Sequence, residues 1–156
     1  MKDLIITAKI QVFDYNELNL LEKNLIDAAK EAVNRAYVPY SHFQVGAAVL
    51  LANQEIITGS NQENVAFPSG LCAERTTLFY ANSRFPDTAV DTIAVAAYTN
   101  GDFTADPITP CGACRQVILE TQNRYKHPVR ILLYGKKAVY IIESITDLLP
   151  LAFEAF

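Results

Sequence analysis

Thr109-Pro110-Cys111-Gly112-Ala113-Cys114-Arg115-Gln116, together with the earlier phrase Leu71-Cys72-Ala73-Glu74-Arg75-Thr76, contains every cysteine of the chain. Three thiolates are one too few to close a tetrahedral zinc site. A structural zinc fills all four positions, whereas a catalytic one holds three protein ligands and keeps the fourth for water. Glu74 stands two residues past Cys72, where its carboxylate can reach that open position without joining the metal. Helical patterns follow both phrases. One runs from about Cys72 to Asn82 with Leu78 and Phe79 facing inward, the other from just after Pro110 to about Asn123 through Val117, Ile118 and Leu119. Cysteines in the first turns of two helices meet unpaired N–H groups and the positive end of the dipole, which favour the thiolate that zinc requires. The metal is therefore expected where two helix N-termini converge.

Outward from these phrases, the apolar period changes character. Leu18, Leu21, Leu25, Ala28, Ala29, Ala32, Val33 and Ala36 recur at helical spacing, which predicts an amphipathic helix over roughly 17–36 that Pro39 ends. Phe43 to Leu51 and Glu55 to Gly59, joined by Ala52-Asn53-Gln54, read as a hairpin. Ile93 to Tyr98 and Val129 to Tyr134 are continuous apolar runs of strand length, the mark of strands buried on both faces. Ala138 to Ile142 makes a last short strand before a helix that Ser144 could cap and that closes at Leu149-Pro150. The order α-β-β-α-β-α-β-β-α predicts an α/β fold: a three-layer α-β-α sandwich around a mixed sheet of about five strands. Ile6, Ala8, Ile10, Val12 and Phe13 alternate in part with polar neighbours, so residues 1–15 could add an edge strand.

Composition narrows the classes of function. A chain of 156 residues suits one domain that buries about 68–70% of its unfolded surface. With 51% apolar residues, surface is left over for self-association. A net charge of -4 gives no positive field for a phosphate backbone, which argues against a nucleic-acid partner. Leu4-Ile5-Ile6 is broken at once by Thr7 and Lys9, so no secretory leader is read. Val45 to Ala52, eight residues, is far short of the ~20 that span a bilayer, and no membrane role is expected. An odd number of cysteines, two of them in C-x-x-C, suits a reducing compartment, so the cytoplasm is expected.

The chemistry follows from the ligand set. Zinc lowers the pKa of its water to about 7, and a nearby carboxylate can take that proton and pass it to a leaving group. One coherent cycle open to such a site is attack on an amidine-like carbon, protonation of a ring nitrogen and loss of ammonia, a hydrolytic deamination. Three thiolates leave the cluster near -1, so a neighbouring cation is needed to draw charge off sulfur. Arg75 and Arg115 both qualify, and Arg75 is preferred because it shares a first turn with Cys72 and Glu74.

A C-A-E phrase followed by P-C-x-x-C is the signature known for zinc deaminases as a class, from which these roles are carried over. The chain resembles the short, homotetrameric, three-cysteine cytidine deaminases over roughly residues 17–153. The likeness also rests on Ala36-Tyr37-Val38-Pro39-Tyr40-Ser41-His42-Phe43-Gln44-Val45-Gly46-Ala47-Ala48, on Gly59-Ser60-Asn61-Gln62-Glu63-Asn64-Val65-Ala66, and on Glu143-Ser144-Ile145-Thr146-Asp147-Leu148-Leu149-Pro150. The resemblance implies one Zn²⁺ per subunit on Cys72, Cys111 and Cys114, with Glu74 as proton shuttle while zinc-bound hydroxide attacks C4 of cytidine or 2'-deoxycytidine. It implies that Asn61 and Glu63 hold the ribose hydroxyls and that Phe43 packs on the pyrimidine. The backbone around Ala73 and Glu74 would read the base edge. Phe153 would close the pocket of a neighbouring subunit in a homotetramer serving pyrimidine salvage.

Each assignment has a plainer competitor. Cys111 and Cys114 alone would suit a redox dithiol or half of a structural zinc knuckle. Glu74 could be an ordinary first-turn carboxylate stabilised by the dipole. By spacing alone Asn61 and Glu63 are turn and strand-end residues, and Phe43 and Phe153 are core. Other readings of the whole chain are a deaminase of a different aminated heterocycle and a zinc-stabilised nucleoside binder without turnover.

Overall fold

The computed structural model describes residues 1–154. In chain order they form β1 (Gln11–Phe13), α1 (Leu20–Ala32), β2 (Gln44–Leu51), β3 (Ile56–Ser60), α2 (Ala73–Arg84), β4 (Val90–Thr99), β5 (Asp102–Phe103), α3 (Gly112–Tyr125), β6 (Arg130–Tyr134) and β7 (Val139–Ile142). The strands make one sheet in the order β1-β7-β6-β4-β2-β3, with β5 paired to β4. Only β4 and β6 run parallel, so the sheet is mixed.

Alternation along the central strands sorts the core into two layers. Ala47, Val49, Leu51, Ile93, Val95, Ile131 and Leu133 face Leu78 and Ala81 of α2 and Ile118 and Leu119 of α3. Ala48, Leu50, Ala94, Ala96 and Leu132 face Leu25, Ile26 and Ala29 of α1. The three-layer α-β-α sandwich is thus the observed architecture. Asn19 caps α1 by accepting from the Glu22 N–H, and Glu22 returns the bond to the Asn19 N–H at 2.9 Å, a capping box that sets where the helix begins. The other Glu22 oxygen takes Arg130 Nη1 at 2.6 Å, which fastens this end of α1 to β6. At Gly46 the fit is tightest: a Cβ there would lie 2.0 Å from the Ala29 carbonyl oxygen.

Several expectations change. The sheet has seven strands where about five were expected. One addition is the N-terminal edge strand, which forms only over Gln11–Phe13, against β7. The other is β5, turned back from β4 by Asn100-Gly101 with φ of 53° and 84°, the left-handed pair that a two-residue hairpin demands. α1 is shorter than 17–36 and ends in a 3₁₀ turn, Val33–Arg35, while Leu21 is exposed. Phe79 points out of α2, about 100° round from the buried Leu78. Ser144 does cap, its oxygen accepting from the Thr146 N–H, but only one 3₁₀ turn, Ile145–Asp147, follows. Pro150 leaves too few residues for more, because the residue before a proline is pushed out of the α region. No helix among the described residues is long and apolar enough to cross a membrane.

Candidate metal centre and adjoining cavity

Cys72 is the N-cap of α2 and Cys111 the N-cap of α3, with Cys114 in the first turn of α3. Neither capping cysteine uses its side chain to bond the helix, so both sulfurs are free to face each other. Cys72 Sγ lies 3.8 Å from Cys111 Sγ, and Cys111 Sγ lies 3.5 Å from Cys114 Sγ. All three sulfurs fall within 4.8 Å of one another. Zn–S bonds of ~2.3 Å at tetrahedral angles place sulfurs about 3.8 Å apart, so the trio fits a zinc ion.

The electrostatics lead to the same group. Hydrogen bonding with Cys114, and then with Arg75, pulls Cys72 down to about 5 against the cost of partial burial. The shared bond with Cys72, and then burial, pushes Cys114 up. Of two adjoining sulfurs one ionises and the other keeps its proton, because a second negative charge at this distance needs a cation to balance it. Arg75 supplies part of that charge, with Nη2 at 3.7 Å from Cys72 Sγ. Its Nε is buried without a partner. Arg115 is committed elsewhere: Nε donates to the Pro110 carbonyl at 2.8 Å and Nη1 to the Leu148 carbonyl at 2.6 Å.

Glu74 is 5% exposed, in the first turn of α2. Burial, above all, pushes its carboxyl up, and the negative Cys72 adds to the effect. Such a carboxyl can hold a proton nearer neutrality than an exposed one. Ala73, beside it, is fully buried.

A cavity of about 290 Å³ opens next to Cys72 and Arg75, with Asn61 and Glu63 on its wall. That volume is near the lower end of small-molecule sites, ~300–1,000 Å³. The Asn61 amide bridges backbone at both ends, accepting from the Val45 N–H at 2.8 Å and donating to the Phe43 carbonyl at 2.9 Å. One lone pair and one N–H remain to it for other partners. Glu63 accepts from the N–H groups of Tyr40 at 2.9 Å and Ser41 at 3.3 Å. Hydrogen bonding with the Ser41 side chain, and then with these N–H groups, keeps its carboxyl below the usual carboxylate range. Phe43 is partly buried and outside the residues that line the cavity. Phe153 lies away from it too, 78% exposed.

Tyr40, Phe67 and Leu71 also line the cavity, roles the sequence reading did not assign. Tyr40 and Phe67 meet edge to face at 6.1 Å, which makes them one aromatic wall. Tyr40 belongs to a stretch that carried the family likeness and Phe67 follows one directly, yet no spacing rule distinguishes a wall aromatic from an exposed one.

The family model described as the cytidine and deoxycytidylate deaminase zinc-binding region matches residues 21–127. The chain is 42% identical over 133 residues to a cytidine deaminase of Halalkalibacterium halodurans, spanning 84% of this chain and 92% of that protein. It is 37% identical over 138 residues to a cytidine deaminase of Mycobacterium tuberculosis, spanning 86% and 88%. Among solved structures, the cytidine deaminase of Burkholderia pseudomallei superposes with a TM-score of 0.71 at 41% identity, covering 83% of this chain and 97% of that one. That of Mycobacterium tuberculosis gives 0.68 at 32%, covering 88% and 100%.

Proposed function

Since this chain belongs to the zinc-binding cytidine and deoxycytidylate deaminase family, we propose that it serves pyrimidine salvage by hydrolysing cytidine and 2'-deoxycytidine to uridine and 2'-deoxyuridine, with release of ammonia. The observation that carries this reading is the trio of sulfurs at zinc spacing with the buried Glu74 beside it, Cys72 of the trio lining a cavity of about 290 Å³ that Asn61 and Glu63 share. Cys72, Cys111 and Cys114 hold one zinc per subunit. Bound there, the metal acts as a Lewis acid and supplies an acidified water. Arg75 draws negative charge from the sulfurs.

As a water oxygen bonds to C4, Glu74 takes a proton from that water and places it on ring nitrogen N3. It then moves the proton of the new C4 hydroxyl to the amino group, so that the C4–N bond breaks, the C4 carbonyl forms and ammonia leaves, a task suited to a carboxyl that burial pushes up. Glu63, ionised and fixed by the Tyr40 and Ser41 N–H groups, and Asn61, through its remaining N–H and lone pair, receive the ribose diol. A diol donor reaching Glu63 finds an acceptor already oriented by the backbone, which lowers the entropy lost on binding. Phe43 packs on the pyrimidine and the Ala73 backbone reads its edge. Phe153 closes the pocket of a neighbouring copy in a homotetramer, and the chain works as one deaminase domain in the cytoplasm.

Zinc content and ammonia release, measured on one purified sample with cytidine, 2'-deoxycytidine and free cytosine, test this function. About one zinc per subunit, with turnover of both nucleosides and little of the base, is expected. Zinc without turnover of either nucleoside overturns the assignment.

A further inference from the structure

We propose that Gln116 is a positioning residue for the substrate pocket, acting by fixing the C-terminal strap that carries Phe153 to the zinc-bearing end of α3. The inference rests on the reading of Phe153 as a pocket-closing aromatic and adds what holds it in place.

Gln116 stands two residues past Cys114, in the same turn of α3. Its Nε2 donates to the Phe153 carbonyl at 2.9 Å. Arg115 secures the start of the same strap through the Leu148 carbonyl, and holds the loop before Cys111 through the Pro110 carbonyl. Between these two anchors the chain turns at Leu151, with φ of 54°, while Ala152 packs on the core. The Phe153 ring nonetheless remains 78% exposed.

A frayed end would leave backbone and ring both free, and a core segment would bury both. Here the main chain is tied at a defined point and the ring stands out from it, the arrangement needed to present an aromatic to a second surface. Because one helical turn carries a metal ligand and the tie, the ring keeps a fixed distance from the metal helix of its own chain.

Gln116→Leu keeps size and removes the donor. The test measures zinc content, hydrogen exchange over the strap, and kinetics on cytidine for this variant, for Phe153→Ala and for the double variant. Full zinc, faster exchange in the strap, and a KM raised about two- to tenfold, the factor one hydrogen bond supplies, with kcat little changed, are expected. The double variant should be no worse than Phe153→Ala. Unchanged exchange, or effects that simply add, overturn the proposal. If the strap loosens while neither single variant alters KM, Phe153 is no part of the pocket and the positioning role falls with it; cytidine turnover would still stand for the deaminase reading.

Discussion

On one face of the sheet Gly46 admits the backbone of α1 until no side chain would fit between, with Ala29 and Ala32 both buried against the strands. On the other face α2 and α3 begin with cysteines, and their N-termini gather sulfur, a guanidinium and a buried carboxyl within one small volume. The same alternating strands serve both layers. The difference lies in which helix atoms meet them. Apolar side chains and close backbone contact make a layer that can only stabilise, whereas helix ends carry unpaired N–H groups and dipole charge that can hold thiolates. The residues proposed for catalysis thereby lie on one layer, and the closest backbone packing on the other.

Glu74→Gln should produce the largest effect and the sharpest test of that division. The amide keeps the shape and cannot shuttle a proton, so kcat should fall by roughly 10²–10⁴-fold, the usual contribution of a positioned acid or base. Metal analysis should find zinc retained. The unfolding temperature should hold or rise, because burial already disfavours the charge that the substitution removes. Substantial residual turnover would take the proton transfers away from Glu74.

Gly46→Ala, on the opposite layer, should reverse the pattern. A Cβ 2.0 Å from the Ala29 carbonyl and 2.7 Å from the Val33 nitrogen must push α1 outward. Overpacking against backbone costs about 3 kcal/mol or more, which lowers the midpoint by roughly 6–12 °C in a domain of this size. Per folded molecule, kcat and zinc content should stay as they were. A variant of normal stability would mean that α1 yields easily and is not the rigid layer described.

The two layers also differ in how readable they were from sequence. The metal corner was legible because cysteine is rare here and ligand spacing is strict: Cys72, Cys111 and Cys114 do converge, at the starts of the two helices assigned to them. The hairpin and the buried strands were legible from period and length. Phe79 was misplaced because an aromatic next to Leu78 reads as core, whereas α2 buries the stripe of Ala73, Glu74, Thr77, Leu78 and Ala81 and position 79 falls on the opposite side of the helix. β5 was missed although Asn100-Gly101 is a strong hairpin signal, since the two residues that follow form too short a strand to stand out. On the cavity wall, Asn61 and Glu63 carry hydrogen bonds to the 40–45 backbone that no sequence spacing reveals. Arg115 stood second to Arg75 in sequence, where only the shared first turn with Cys72 and Glu74 separated them. Its direction was decided by the Pro110 and Leu148 carbonyls, one of them remote in the chain.

The smallest effect is expected at the far end of α3, about 20 Å along the helix from its cysteine start at 1.5 Å per residue. Lys126 closes this helix in the left-handed region, φ 50° and ψ 39°, with its N–H donating to the Gln122 and Asn123 carbonyls. A side chain there is strained, and glycine adopts the conformation freely. Against that gain stands the loss of a cation beside the negative end of the helix dipole, worth a few tenths of a kcal/mol at an exposed site. Lys126→Gly should therefore stabilise the fold by about 0.5 kcal/mol, raising the midpoint by roughly 1–2 °C, with KM and kcat unchanged. Thermal unfolding and steady-state kinetics together decide what the gain means. A stabilised variant with altered kinetics would show that the two ends of α3 are coupled, and a layer whose distant packing sets its chemistry would not be separable into a structural end and a reactive one.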